Sequence, residues 1–242
     1  MVSLVCVYNK LDVYQNMVNS LVGQTAEYEI VGVDNTRQEF KSAACALNHG
    51  ASQAHGDTMI FLHQDILFHE TNALHRIIQM LQSLDESNVI LGLYGAGGEV
   101  VYGAIPTTAL TRAETLDECL VVMPRSTWQQ YKFNEQVCDG WHLYAVELCL
   151  RASRDGCYIY QMNGLPIEHL STGEINGQYM EIYRRLMKAF PDKKRIKTTC
   201  VSLPNNRLVF ALYYSLWRIK KKMLGNYPLR STLREMAHRF KK

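Results

Sequence analysis

The stretch Gly56-Asp57-Thr58-Met59-Ile60-Phe61-Leu62-His63-Gln64-Asp65 decides how this chain folds. Its four apolar residues, Met59 to Leu62, read as a short strand buried on both faces. That strand runs straight into His63-Gln64-Asp65, a polar run with metal-binding side chains. A buried strand that ends in a carboxylate carries the carboxylate to the carboxyl edge of a sheet, where open α/β sheets bind ligands. An Asp after a strand also simply starts a turn, so the surrounding sequence has to decide.

Upstream, Val2-Ser3-Leu4-Val5-Cys6-Val7 is apolar and β-branched, a strand that stops at Tyr8-Asn9-Lys10. A helix pattern follows from Asp12, its expected cap, to Leu21-Val22, closing at Gly23. Residues 28–33 predict a second strand ending at Asp34-Asn35, and 40–54 an Ala-rich helix. Downstream come a helix over 71–84 and a strand over 89–93 that opens onto Gly95-Ala96-Gly97-Gly98. This glycine run lacks the GxGxxG spacing of a dinucleotide loop, and Glu99 to Tyr102 reads as strand, not helix. It is a hairpin turn or a mobile loop over a cleft. Strands alternating with helices of this length imply right-handed βαβ units and a mostly parallel α/β sheet. Asn9, Asp34 and Asp65 then share one rim, the expected binding cleft.

Past Gly103, residues 118–123 predict a strand and 124–131 a short helix. Residues 139–152 predict a helix with Trp141, Tyr144, Leu148 and Ala152 on one core face. A strand over 158–160 leads to the polar turn Glu168-His169-Leu170-Ser171-Thr172-Gly173.

The chain has 242 residues, 47% of them hydrophobic, enough for one domain with an appendage. Its seven cysteines are scattered with no CxxC pair, and no signal peptide is apparent, so reduced thiols in a cytoplasm are expected. The net charge of +3 hides a division: residues 1–180 hold 9 Lys/Arg against 20 Asp/Glu, and 181–242 hold 17 against 3. An acidic body with a basic tail suggests contact with something anionic. We place the boundary at 190, with a body over 1–190 and a basic amphipathic helical tail over 191–242. The largely apolar run from Leu208 to Trp217 is too short to span a bilayer. Together with Arg218, Lys220, Lys221 and Lys222, and a second amphipathic pattern over 230–240, it fits interfacial helices on an anionic membrane through 207–242. Packing on the body or on a second subunit, making a homo-oligomer, is the alternative. Nucleic acid is not expected, because no recognised binding module accompanies the charge.

Taken together, these pieces resemble the GT-A-fold glycosyltransferases of the family 2-like group. The resemblance covers residues 2 to about 175. It rests on Val5-Cys6-Val7-Tyr8-Asn9, Val33-Asp34-Asn35, Asn48-His49-Gly50-Ala51, Ile60 to Asp65 at the position of the family's DxD, the Gly140 to Leu150 helix and the Glu168 to Gly173 turn. It implies transfer of a sugar from a nucleotide-sugar donor, UDP-sugar favoured, to a glycan or lipid-linked acceptor in cell-surface polysaccharide synthesis. Inversion and a Mn²⁺ (or Mg²⁺) cofactor are implied with it, in an enzyme of hexosyltransferase type, cytoplasmic or peripheral on the inner membrane face. By the same resemblance Asp65 and His169 hold the metal, and Tyr8, Asn9, Asp34, Asn48, His63 and Gln64 lie on the nucleotide side. The two departures are His63, where the first Asp of DxD is usual, and Ala145, where the family's base follows a Tyr. Asp139 or Glu147 would then have to act as base. A nucleotidyltransferase, or a non-catalytic binding protein of the same fold, stays open as an alternative.

Overall fold

The structure, a computed structural model, describes residues 1–86, 88–97, 110–171, 173 and 175–224. The expected strand at Glu99 to Tyr102 and the second amphipathic pattern over 230–240 lie outside the described residues.

The first half alternates as expected. Strand β1 (Val2–Tyr8) is followed by helix α1 (Leu11–Ser20), β2 (Tyr28–Asp34), α2 (Ala43–Gln53), β3 (Thr58–His63), β4 (Ile66–Phe68), α3 (Ala73–Gln82), β5 (Val89–Gly92) and a two-residue strand β6 (Gly95–Ala96). After them come β7 (Leu110–Arg112), β8 (Thr115–Leu116), β9 (Leu120–Pro124), α4 (Arg125–Tyr131), α5 (Tyr144–Arg154), β10 (Tyr158–Met162), β11 (Ile167–His169), α6 (Gly177–Ala189), β12 (Arg195–Lys197), β13 (Ser202–Pro204) and α7 (Arg207–Leu224).

Among the described residues, seven strands form the main sheet in the order β2-β1-β3-β9-β5-β10-β7. Strands β2, β1, β3, β5 and β10 run the same way, while β9 and β7 run against them. Residues of β3 alternate between two cores: Met59 and Phe61 pack with α2, α4, α5 and α6, and Ile60 and Leu62 with α1 and α3. Burial on both faces is why this strand has no polar alternation. Helix α2 is rich in alanine because it lies hard against the sheet. A Cβ on Gly50 would come within 2.7 Å of Val33 and Val5 side-chain carbons.

Several element boundaries differ from the sequence reading. Lys10, not Asp12, is the N-cap of α1; Asp12 sits inside the first turn, where its charge still favours the helix dipole. Helix α2 starts at Ala43, capped by the Ser42 hydroxyl accepting from the Cys45 amide. The 118–123 strand is β9, antiparallel between β3 and β5. Helix α5 starts at Tyr144 instead of residue 139, because Leu143 takes a left-handed φ of 62° that interrupts helical hydrogen bonding. Trp141 therefore leaves the expected core face and is 39% exposed, whereas Tyr144, Leu148 and Ala152 are buried. Beyond residue 190, β12 and β13 pair as a hairpin, and Ile196, Val201 and Phe210 join the core beside α6. The body thus continues to α7.

Candidate functional site

The parallel register aligns the strand ends. Tyr8 pairs with Asp34 across β1 and β2, and Val7 with His63 across β1 and β3. The cleft above them, about 750 Å³ including its open mouth, is lined by Tyr8, Asn9, Asn35, His63, Gln64, Asp65, Trp141, Tyr144 and Ser171, over an apolar floor from β1, α2 and β3.

Gln64 fixes the β1–α1 loop. Its Oε1 accepts from the Asn9 and Lys10 amides at 3.1 and 3.0 Å, and its Nε2 donates to Asn9 Oδ1 at 2.8 Å. Tyr8 stacks on Tyr14 with ring centroids 4.1 Å apart. Asn35 is buried and holds the next loop, donating to the Phe40 carbonyl and accepting from its amide.

The deepest chemistry lies at the end of β3. Strand β4 pairs antiparallel with β11, setting His169 opposite Ile66, and the Leu170 amide donates to the Asp65 carbonyl. His169 Nε2 consequently sits 3.3 Å from Asp65 Oδ1 and 3.4 Å from His63 Nδ1. One ligand atom from each of the three lies within 4.8 Å of the others. The other ring nitrogen of His63 is 3.1 Å from the Tyr144 hydroxyl, which donates to the Glu118 carbonyl at 3.3 Å. With that hydroxyl proton committed, His63 carries its own proton on Nε2 and leaves Nδ1 bare towards Asp65 and His169. Burial, reinforced by the His169 charge, lowers the His63 pKa and keeps the ring neutral. Burial alone would raise Asp65, but hydrogen bonds from His169 and Ser171 and the nearby imidazoles outweigh it, holding the carboxyl well below the usual range.

A neutral imidazole and an ionised carboxylate are forms that bind metal. Adjacent donors around an octahedral divalent ion lie about 3 Å apart, close to the spacings here. Two nitrogens with one oxygen suit Mn²⁺ better than Mg²⁺, which prefers oxygen alone. Among the described residues, none that lines the cleft is Lys or Arg. A diphosphate bound there would rely on a cation and on backbone amides for its countercharge.

Of the residues named from sequence, Tyr8, Asn9, His63, Gln64 and Asp65 line the cleft, and His169 touches two of them. Asp34 stands exposed at the rim, accepting from the Thr36 amide at 2.8 Å; that bond, helped by the Thr36 and Tyr8 hydroxyls, lowers its pKa. Asn48 faces elsewhere, its Oδ1 accepting from the Phe133 amide and its Nδ2 donating to the Phe133 carbonyl and Glu135. Neither expected base lines the cleft. Asp139 is paired with Arg185 at 2.7 Å. Glu147 is buried, held by Arg151 through both oxygens at 2.9 Å and by Asn134 at 3.0 Å. The sequence reading missed Asn35, Trp141, Tyr144 and Ser171 as cleft residues. Trp141 was hidden by the misplaced start of α5, and Ser171 was visible only as the polar residue two past His169.

Two further acids stand at the tip of the sheet. The His63 amide donates to the Cys119 carbonyl, so the chain entering β9 crosses the end of β3. Asp117, half-buried, accepts from the Cys119 amide at 3.0 Å and the Thr199 hydroxyl at 2.6 Å, and its charge acts on His63. Burial, with the Asp117 charge behind it, pushes Glu118 up to about 8, and its Oε1 has no hydrogen-bond partner among the described residues.

No protein-family model and no curated protein matches the sequence. Solved structures do match in shape. S. aureus TarS superposes with a TM-score of 0.57 at 14% identity over 78% of this chain and 39% of that one. TarS 1-349 in complex with UDP gives 0.55 at 15% identity over 77% of this chain and 64% of that one. GalNAc-T7 with UDP, GalNAc and Mn²⁺ gives 0.56 at 14% over 77% and 47%. This chain therefore spans between about two fifths and two thirds of the length of these proteins, and it has their GT-A fold.

Proposed function

We propose that this chain is a hexosyltransferase that moves a sugar from a UDP-sugar to an acceptor hydroxyl, with inversion and with Mn²⁺ as cofactor. The observation that carries the reading is the His63, Asp65 and His169 cluster at the end of β3, inside a cleft that no Lys or Arg lines among the described residues. Structures of the same fold hold UDP, and one holds UDP with Mn²⁺. A bound divalent ion supplies charge neutralisation for the departing diphosphate. The protein's own share is positioning. Tyr8, Asn35 and the Gln64-braced Asn9 loop receive the nucleoside, and His63, Asp65 and His169 hold the cation's side of the diphosphate.

In the transfer, the acceptor oxygen bonds to the anomeric carbon as the sugar–phosphate bond breaks, and UDP leaves with that electron pair. The acceptor proton needs a carboxylate. Asp117 fits best: it does not itself line the cleft, but its charge acts on the cleft residue His63, and among the described residues no arginine is attached to it. Glu118 holds its own proton at neutral pH, and Asp139 and Glu147 are both committed to arginines. The acceptor is a glycan or lipid-linked saccharide, as in surface polysaccharide synthesis, met on the cytoplasmic side; the seven free thiols fit a reducing compartment.

Calorimetric titration with UDP, with and without Mn²⁺, tests the reading. Mn²⁺ is expected to tighten UDP binding at least tenfold in the wild type and to have no effect in Asp65→Ala. Equal metal dependence in both proteins would sink the assignment. Release of UDP from a UDP-sugar in the presence of Mn²⁺ separates an enzyme from a binding protein.

A further inference from the structure

Helix α7 carries two apolar faces, and only one of them is used within the described residues. On the first, Phe210 stacks on Tyr183 of α6 and on Tyr214, and Tyr214 stacks on Trp217, so the helix is pinned to the body by an aromatic row. On the other side lie Leu208, Val209, Leu212, Leu216 and Ile219, whose exposure runs from 40% at Val209 to 82% at Leu208. At about 100° per residue these five fall within one arc of about 100°, and they extend over about 16 Å of helix. No other exposed large hydrophobics in the described residues form such a row. A contiguous stripe of this kind marks a docking surface, not the scattered apolar exposure of an ordinary exterior.

Charge identifies the occupant. Arg207, Arg218 and Lys222 border the stripe on one side and Lys220 on the other, and all are exposed or partly exposed. From residue 193 to the C-terminus the sequence holds fourteen Lys/Arg and a single acid, Glu235. A second copy meeting this face symmetrically would set like charges against each other. An anionic lipid surface accepts the leucines between its acyl chains and the flanking cations at its headgroups.

We infer that α7 lies flat on an anionic membrane through Leu208, Val209, Leu212, Leu216 and Ile219, with its aromatic row turned to the protein. The inference is independent of the reaction performed in the cleft.

The test is flotation of the full chain with vesicles of phosphatidylcholine alone or containing about a third phosphatidylglycerol. Binding is expected only to the anionic vesicles, and raising salt from about 0.1 M to about 0.5 M should weaken it more than tenfold. Leu212→Glu with Leu216→Glu should weaken binding more than tenfold as well. So should Lys220→Gln, Lys221→Gln and Lys222→Gln combined. UDP affinity serves as the folding control, because these side chains lie outside the cleft; it should be unchanged in both variants. Equal binding to neutral vesicles overturns the electrostatic part. Absence of vesicle binding overturns the inference, and a concentration-dependent dimer lost in Leu212→Glu would assign the stripe to a second copy.

Discussion

Two groups of carboxylates a short distance apart are put to opposite uses. At the start of α5, Asp139 and Glu147 each have an arginine, Arg185 and Arg151. At the tip of β3 and the entry to β9, Asp65, Asp117 and Glu118 have none within hydrogen-bond or ion-pair reach among the described residues. A carboxylate closed by a guanidinium has its charge answered and its lone pairs used. One set among imidazoles, hydroxyls and amides keeps lone pairs for a cation or a proton. The residue type is the same in both places; the partner decides whether the lone pairs are spent or kept.

The largest effect should come from Asp117. If it takes the acceptor proton, Asp117→Asn lowers the transfer rate by about 10²–10⁴-fold with UDP affinity retained. A normal rate would place the base elsewhere and dissolve the comparison on its chemical side.

The scaffold side is tested by stability. Glu147→Gln leaves the partly exposed Arg151 guanidinium with only the Tyr131 and Lys132 carbonyls, and unfolding in denaturant should show a loss of about 1.5–3 kcal/mol. Asp139→Asn breaks an exposed pair and should cost no more than about 1 kcal/mol. Neither variant should change UDP affinity. A Glu147→Gln protein as stable as the wild type would show that the arginine is not what commits this carboxylate.

The last effect, read only as a pH dependence, concerns Glu118. Its folded-state pKa of about 8 lies above the ordinary glutamate value of 4.5. The protonated form is therefore the one the fold prefers. Its contribution is complete below about pH 4.5 and is lost as pH rises through about 8. Glu118→Gln, permanently neutral, should match the wild type near pH 4.5 and become progressively more stable than it as pH rises towards 8, read as a higher melting temperature measured without added metal. An unchanged difference across that range would mean that Glu118 titrates normally.

Much of the first half was legible in the sequence, because β1 and β3 are buried on both faces and leave unbroken apolar runs ending in polar residues. The direction of β9 was not legible. An apolar run such as Leu120 to Met123 is the same whether it lies parallel or antiparallel, and only its short connection into α4 hinted at the reversal. The start of α5 was misread because nothing in Trp141-His142-Leu143 announces a left-handed leucine. The β12–β13 hairpin was hidden inside a stretch dominated by lysines and arginines. In the site, Asp65 was visible as the end of a buried strand, whereas its partnership with His169 came only from the resemblance. Glu118 escaped notice because the sequence places it at the start of a strand instead of in the bend leading into it, and Asp117 because it falls just before that strand.

The pairing of β4 with β11 makes the site a non-local object. His169 stands more than a hundred residues along the chain from Asp65, and three antiparallel residue pairs bring the two together. A nascent or truncated chain that has not yet laid β11 against β4 has the strand, the carboxylate and the cleft floor, but no third ligand. An ion shared by positions 65 and 169 would in turn act as a clasp on a long loop, a closure whose entropy the unfolded chain must otherwise bear. Assembly of this centre therefore reports that both halves of the chain have found each other, and a cation there would hold them in register.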